Sequence, residues 1–224
     1  MYDMAPPRVL TREQIAEAAL RLADQTGVER LTMRALADEL GVGTMTLYSY
    51  VRSRDDLLDL MVDTATEPVA ATPIEGHWTE QIVTLFSALH EVLTKHPGLV
   101  RARMTRPFNS PGVMRLAERA LSVLQAAGMD RQEAARAYRT LYLFTLGCAT
   151  YGGHSDTAQL RRDLEALPST DFPHVAAHRD KLIYTVAEAA EFRYGLRLLV
   201  TAMSAYVPPP TNRNPQGGTH NPVG

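Results

Sequence analysis

Leu31 to Leu58, LTMRALADELGVGTMTLYSYVRSRDDLL, is the stretch whose reading decides the fold. Thr32 can cap a helix, because its hydroxyl accepts from the free amides of the following turn, and Leu36, Ala37 and Leu40 then recur at helical spacing. Gly41 suits the left-handed residue that ends such a helix, Val42 gives the turn an apolar plug, and Gly43 or Thr44 opens the next one. On that second helix Leu47 and Val51, four apart, share an inward face. Thr44, Thr46, Ser49 and Tyr50 then point outward. An outer face rich in hydroxyls and nearly free of charge suits the major groove of DNA, where a helix fits and hydroxyls reach base edges. Ser53, with Asp56 three residues on, opens a third helix whose first turn holds Arg54. A cation there opposes the helix dipole, and an external phosphate would relieve the mismatch. The pattern predicts a helix-turn-helix.

Toward the N-terminus, Thr11 caps a helix striped by Ile15, Ala18, Ala19, Leu22 and Ala23, which Gly27 ends. Residues 1–10, with Pro6 and Pro7, read as a flexible arm. Toward the C-terminus, Leu57, Leu58, Met61 and Val62 tie the third helix of the stretch to the remainder of the chain. Pro68 and Pro73 are expected to break it, making 11–67 the DNA-binding domain and 68–76 a linker. Beyond that point every periodic stretch is helical. Trp78, Ile82, Leu85, Phe86, Leu89, Val92 and Leu93 stripe a helix ended by Pro97-Gly98. A short piece, Leu99 to Met104, precedes a helix striped by Val113, Met114, Ala117, Leu121 and Leu124. Asp130 and Glu133 form a capping box for a long helix that ends near Gly152. Residues 155–180 read as a short helix and loops, and a last helix spans about Arg179 to Tyr206. The expectation is an all-α chain: a three-helix DNA-binding domain, a larger helical domain over 77–206, and a disordered tail over 207–224, PPPTNRNPQGGTHNPVG in its last seventeen residues.

The chain has 224 residues, 45% hydrophobic and 21% charged, enough for a sizeable core. It has no apolar run of membrane length, MYDMAPPRVL lacks a signal-peptide core, and a cytoplasmic location is expected. Cys148 is the single cysteine, so no internal disulfide forms within the chain. Net charge is −2, and residues 1–60 hold seven arginines against ten acidic residues. Phosphate affinity depends on the local face rather than the total, so Arg8, Arg12, Arg34, Arg52 and Arg54 could share one side. A few phosphate contacts and a modest salt dependence are expected.

Gly41-Val42-Gly43, Leu47-Tyr48, Tyr50-Val51 and Ser53-Arg54-Asp55-Asp56-Leu57-Leu58 together resemble the signature of the tetracycline-repressor (TetR) family of bacterial transcription regulators. Gly43 stands where the family usually has Ser, Tyr50 where it has His, and Arg54 where it has Lys. Tyrosine still donates to a phosphate, and arginine does so with a broader fork. Trp78, His96-Pro97-Gly98, Thr105-Arg106-Pro107, Ala127-Gly128, Phe144 to Gly147 and Phe192 to Leu199 resemble the ligand-binding and dimerisation domain of the tetracycline-repressor branch. The resemblance implies a homodimeric repressor that binds a palindromic double-stranded DNA operator and is released by a small molecule. It places Arg34, Thr44, Thr46, Tyr48, Tyr50 and Arg54 at DNA. It also implies a dimer seam from Phe192, Leu196, Leu199, Val200 and Met203 with Ala134, Tyr138 and Leu141. The histidine that holds magnesium in the tetracycline repressor aligns with Ala102, so a metal-tetracycline ligand is not implied.

For the effector, the helices between Trp78 and Tyr151 offer Trp78, Phe86, Leu89, His90, Met104, Phe108, Met114, Leu121, Tyr138, Tyr142, Thr145 and Cys148. Such an apolar, partly aromatic lining with a few hydroxyls suits an apolar or aromatic compound. The plainer reading of any one of these residues is core packing. His77, His90, His96 and His154 are scattered without zinc spacing, so no metal and no cofactor are expected. Cys148 has no sequence-near histidine and reads as an inert thiol. The alternatives are a helical enzyme, for which no phosphate loop or nucleophile elbow is present, and a protein-interaction module without DNA binding.

Overall fold

The computed structural model describes residues 10–105, 110–152, 157–182 and 189–207, excepting the side chains of 103–105, 151, 152 and 157. Among them are eleven α-helices and no strand. The arm over 1–9, the tail from 208 on and the Phe108 side chain lie outside the described residues, as does that of Met104.

α1 (Arg12–Thr26) opens on a full capping box: Thr11 Oγ1 accepts from the Gln14 amide, and the Gln14 side chain accepts from the Thr11 amide. α2 (Met33–Leu40) starts on Thr32, whose hydroxyl accepts from the Ala35 amide at 3.1 Å. It ends at Gly41 with φ 67° and ψ 33°, a left-handed conformation that a side chain would strain. α3 (Thr44–Tyr48) has only five residues, and Gly43 gives its start no side-chain cap. Packing fixes it instead, since Leu47 and Val51 are both fully buried. α4 (Arg54–Ala71) begins where Ser53 Oγ accepts from the Asp56 amide.

The C-terminal half, the sensor half that the resemblance implies, comprises α5 (Trp78–Lys95), α6 (Pro97–Thr105), α7 (Pro111–Ala126), α8 (Arg131–Gly152), α9 (Thr157–Ala166), α10 (Pro173–Leu182) and α11 (Ala189–Met203). Two apolar cores result. Ile15, Leu31, Leu36, Leu47, Leu57 and Met61 close the first, that of the N-terminal head formed by α1 to α3 and the start of α4, whereas Phe86, Leu116, Leu124, Leu141, Phe192 and Leu196 close the second. α4 serves both, with Leu57 to Val62 in one and Val69 in the other.

Three expectations change. Pro68 does not end α4, which runs on to Ala71. A proline one turn from a helix end forfeits a single ladder bond, and here the exposed carbonyls find other donors. Thr72 Oγ1 donates to Pro68 O, and the guanidinium of Arg119 on α7 donates to the carbonyls of Ala70 and Thr72. Second, the buried stripe of α7 is Val113, Leu116, Ala120, Val123 and Leu124, and Met114 is 47% exposed. Third, Phe192, Leu196, Val200, Met203, Ala134 and Leu141 are buried within the protomer, and Leu199 and Tyr138 pack partly buried against the same core, so none offers an open seam. Among the described side chains, Leu143, Tyr194 and Leu198 are the large exposed apolar residues of those helices. The expected last helix is described as α10 and α11 on either side of residues 183–188, which lie outside the described set.

Candidate functional site

The outer face of α3 is what the turn chemistry creates. With Leu47 pinned inward, Thr44, Met45, Thr46 and Tyr48 are left exposed along one short helix. Met45 is 81% exposed, a thioether held in water beside two hydroxyls. The sequence reading passed it over, because a lone methionine carries no periodic signal. A protruding apolar tip can read the thymine methyl group in the major groove, while threonine hydroxyls pair with base edges. Arg34 of α2 is exposed as well, and Tyr50 is half-buried.

Beside this face lies a shallow basin of about 490 Å³ lined by Arg12, Ser49, Tyr50, Arg52, Ser53 and Asp56. The Arg12 guanidinium donates to Tyr50 O and pairs with Asp56 Oδ1 at 3.5 Å, stapling the start of α1 to the turn between α3 and α4. Asp56 Oδ2 accepts from the Arg52 amide at 2.8 Å. Arg54 behaves differently from its sequence-based reading. Its Nη2 donates to Val28 O at 2.8 Å and its Nε to Leu31 O at 3.4 Å, in the loop before α2. Backbone carbonyls thus offset part of the cation at the start of α4, while the residue stays exposed. Arg54 therefore positions α4 against the head.

The effector candidates divide between the two sides of α5. Leu89 and Tyr142 line a small apolar cavity of about 30 Å³ between α4 and α8, together with Val62, Thr66, Leu93, Leu99, Val113 and Leu116. Those α4, α6 and α7 residues escaped the sequence reading, since a wall contributed by five helices leaves no local pattern. His90, on the other side of α5, lines an open cleft facing α11. Its ring stacks on Phe192 with centroids 3.9 Å apart, and burial pushes its pKa below the ordinary histidine value. Phe86 is buried core, 6.4 Å from the Tyr138 ring, which stacks on Tyr142 at 6.0 Å. Thr145 is buried and donates to Leu141 O of its own helix at 2.8 Å. Trp78 and Leu121 are half-buried, and Met114 faces solvent. Cys148 is half-buried, and burial raises its thiol pKa, which keeps it protonated and unreactive.

α4 joins the cavity to the head. Asp63 Oδ1 accepts from the Gly112 amide at 2.6 Å, capping the start of α7. Arg119, two turns further along α7, closes the other end of α4 through its carbonyls. A Cβ at Gly112 would lie 2.5 Å from Thr66 Oγ1 and 2.7 Å from Asp63 Oδ1, so glycine is what permits this approach. Each helix caps the other. The histidines have local roles: His77 Nδ1 bonds Thr79 Oγ1 at 2.8 Å at the start of α5, and His96 Nδ1 lies 2.7 Å from Asp24 Oδ2 of α1. Among the described residues no group of three or more His, Cys, Asp or Glu side chains could hold a metal ion, and no helix is long and apolar enough to cross a membrane.

Comparison with known proteins covers both halves. Residues 15–61 match the family described as bacterial regulatory proteins, tetR family, and residues 71–207 match the tetracyclin repressor-like C-terminal domain. The HTH-type transcriptional repressor DrrR1 of Streptomyces coeruleorubidus is 32% identical over 162 residues, 71% of this chain and 60% of that protein. The chain thus spans less than two thirds of the length of that relative. An HTH-type transcriptional regulator of Saccharopolyspora erythraea is 32% identical over 178 residues, 76% of this chain and 75% of its own. Apo ActR from Streptomyces coelicolor superposes with a TM-score of 0.75 at 30% identity, covering 91% of this chain and 98% of that one. ActR has also been crystallised in complex with actinorhodin, and that structure superposes at 0.74.

Proposed function

Because the chain belongs to the tetR family of bacterial transcription regulators, we propose that it is a homodimeric repressor that leaves its operator when an apolar, aromatic compound enters the cavity between α4 and α8. The observation that carries this reading is the exposed face of α3. Thr44, Met45 and Thr46 contact base edges, while Tyr48 and the exposed Arg34 and Arg52 contact phosphates and set the register. A dimer holding two such helices about 34 Å apart reads a near-palindromic site.

The second copy meets the exposed apolar faces of α8 and α11, where Leu143, Tyr194 and Leu198 are each more than half exposed. Exposed apolar residues grouped on two neighbouring helices mark an interface more often than free surface. The cavity, at about 30 Å³, holds little more than a water molecule. A ligand-sized pocket is about 300 to 1,000 Å³. The effector therefore binds an expanded arrangement in which α7 has moved, and the Asp63 and Arg119 clamps carry α4 with it. DNA occupancy then falls by the difference in effector affinity between the two arrangements. The relative ActR has been crystallised with actinorhodin. A comparable aromatic effector here is consistent with Leu89 and Tyr142 in the cavity wall and with Tyr138, whose ring stacks on Tyr142.

The test is a gel shift on the intergenic DNA upstream of the chain's own gene, with and without aromatic metabolites chosen by thermal shift. Retarded DNA that a stabilising compound releases is the expected result. A chain that retards no such fragment, or a compound that stabilises the protein without affecting the complex, overturns the reading. Leu198→Glu is expected to convert the dimer to a monomer by light scattering.

A further inference from the structure

Two buried polar atoms on α5 have no hydrogen-bond partner among the described residues: Ser87 Oγ and His90 Nε2. They are three positions apart, hence on one helix face, and both residues line the same cleft. Leaving a buried polar atom unpaired is costly, so a pair of them on one wall calls for an occupant. The cleft has a volume of about 860 Å³ and shares no residue with the small apolar cavity; α5 stands between the two. Its mouth carries Lys95, Arg193 and Arg197 against the single acid Glu91, all exposed. Arg193 spends its Nε on Ala189 O, and among the described residues the rest of its fork has no partner. Val83 and Ala88 give the floor an apolar strip.

We propose that the cleft between α5 and α11 is a second small-molecule site, which takes an organic acid whose carboxylate meets the cationic mouth and whose apolar body lies on the Val83 and Ala88 strip and carries a polar substituent toward Ser87 and His90. The excess of cations at the mouth selects a carboxylate over its neutral analogue. Ser87 and His90 supply hydrogen bonds to a polar substituent on the body. His90, held neutral by burial, can donate or accept through Nε2. Because His90 stacks on Phe192 of α11, an occupant bears directly on the helix that presents Tyr194 and Leu198 to a second copy.

The experiment titrates the full-length protein with 6-hydroxy-2-naphthoate, whose hydroxyl can meet Ser87 and His90, and its neutral twin 6-hydroxy-2-naphthamide by calorimetry, while the side-chain nitrogen resonances of His90 are followed by NMR. Saturable binding of one naphthoate per protomer is expected, with the amide at least ten-fold weaker and the His90 Nε2 resonance shifted at saturation. Arg193→Glu with Arg197→Glu, both solvent-exposed, should weaken naphthoate at least ten-fold at unchanged Tm. Leu93→Phe, which fills the other cavity, should leave it unchanged. Absent binding, equal binding of acid and amide, insensitivity to the double charge reversal, or an unmoved His90 resonance would each overturn the proposal. Loss of binding in Leu93→Phe with the charge reversal silent would do so too, by placing naphthoate in the cavity between α4 and α8.

Discussion

Toward its start, α4 is gripped by a filled core: Leu57 and Met61 are fully buried, and Arg54 reaches across to the carbonyls of Val28 and Leu31. Toward its end the same helix rests on a more polar joint, in which Asp63 caps α7 and Arg119 closes α4, with a small cavity alongside. The head has nothing to rearrange, because close-packed apolar cores resist small displacements. The joint is directional, and a change in α7 must be answered by α4. A regulator that senses at one end and binds at the other needs this inequality.

The harshest way to break the comparison is Gly112→Val. Its Cβ would meet Thr66 Oγ1 at 2.5 Å and Asp63 Cα at 3.1 Å, against backbone that cannot yield cheaply. A loss of about 3 kcal/mol in chemical denaturation is expected, as for overpacked contacts. An equally large loss from Gly43→Ala in the head would erase the distinction, since at Gly43 the nearest atom is a threonine hydroxyl at 3.8 Å.

Arg119→Ala comes next. It strips charged donors from carbonyls at the end of α4, and a cost of about 2 kcal/mol is expected for hydrogen bonds to a charged group. The more telling readout is coupling: the variant should bind operator nearly as well as the parent yet release it less completely at saturating effector. A variant that loses stability but keeps full release would make Arg119 a cap and nothing more.

On the DNA face, Met45→Ala and Thr46→Ala should each change the preference among operator variants by about 1 to 2 kcal/mol, whereas Tyr48→Phe weakens all sequences alike. Unaltered melting temperatures keep the effect on recognition. Arg54→Ala, by contrast, should lower the melting temperature with a cost of about 1 kcal/mol, because its hydrogen bonds are internal.

The difference between the two halves also explains what the sequence made readable. Thr32, Gly41, Leu47 and Ser53 act within a few residues of their own positions, so caps, the left-handed corner and the inward face are all visible in one short run of residues. Met45 and Arg54 were harder, one because exposure has no period, the other because its partners are 23 and 26 residues away. In the sensor half the decisive contacts join α4 to α7 across about fifty residues. Pro68 looked like a helix end because Arg119, which stabilises the turn after it, lies beyond any local window. The expected seam failed for a related reason: periodicity identifies an apolar stripe on α11, but whether that stripe faces α5 and α8 or a second copy depends on packing.

The smallest expected effect lies in the sensor core, at His90. Burial disfavours its imidazolium, so its folded-state pKa lies below the ordinary value of 6.5. At pH above that value both folded and unfolded chains hold the ring neutral, and His90 contributes no pH dependence. As pH falls below it the unfolded chain takes up a proton that the folded chain refuses, so stability drops until the folded-state value is reached. The melting temperature of the parent should therefore fall more between pH 7 and pH 5 than that of His90→Gln, which keeps a polar side chain there without a titrating ring. Parallel profiles would mean that the ring accepts its proton in place, and the wall between α5 and α11 would then be more open to water than its stacking on Phe192 implies.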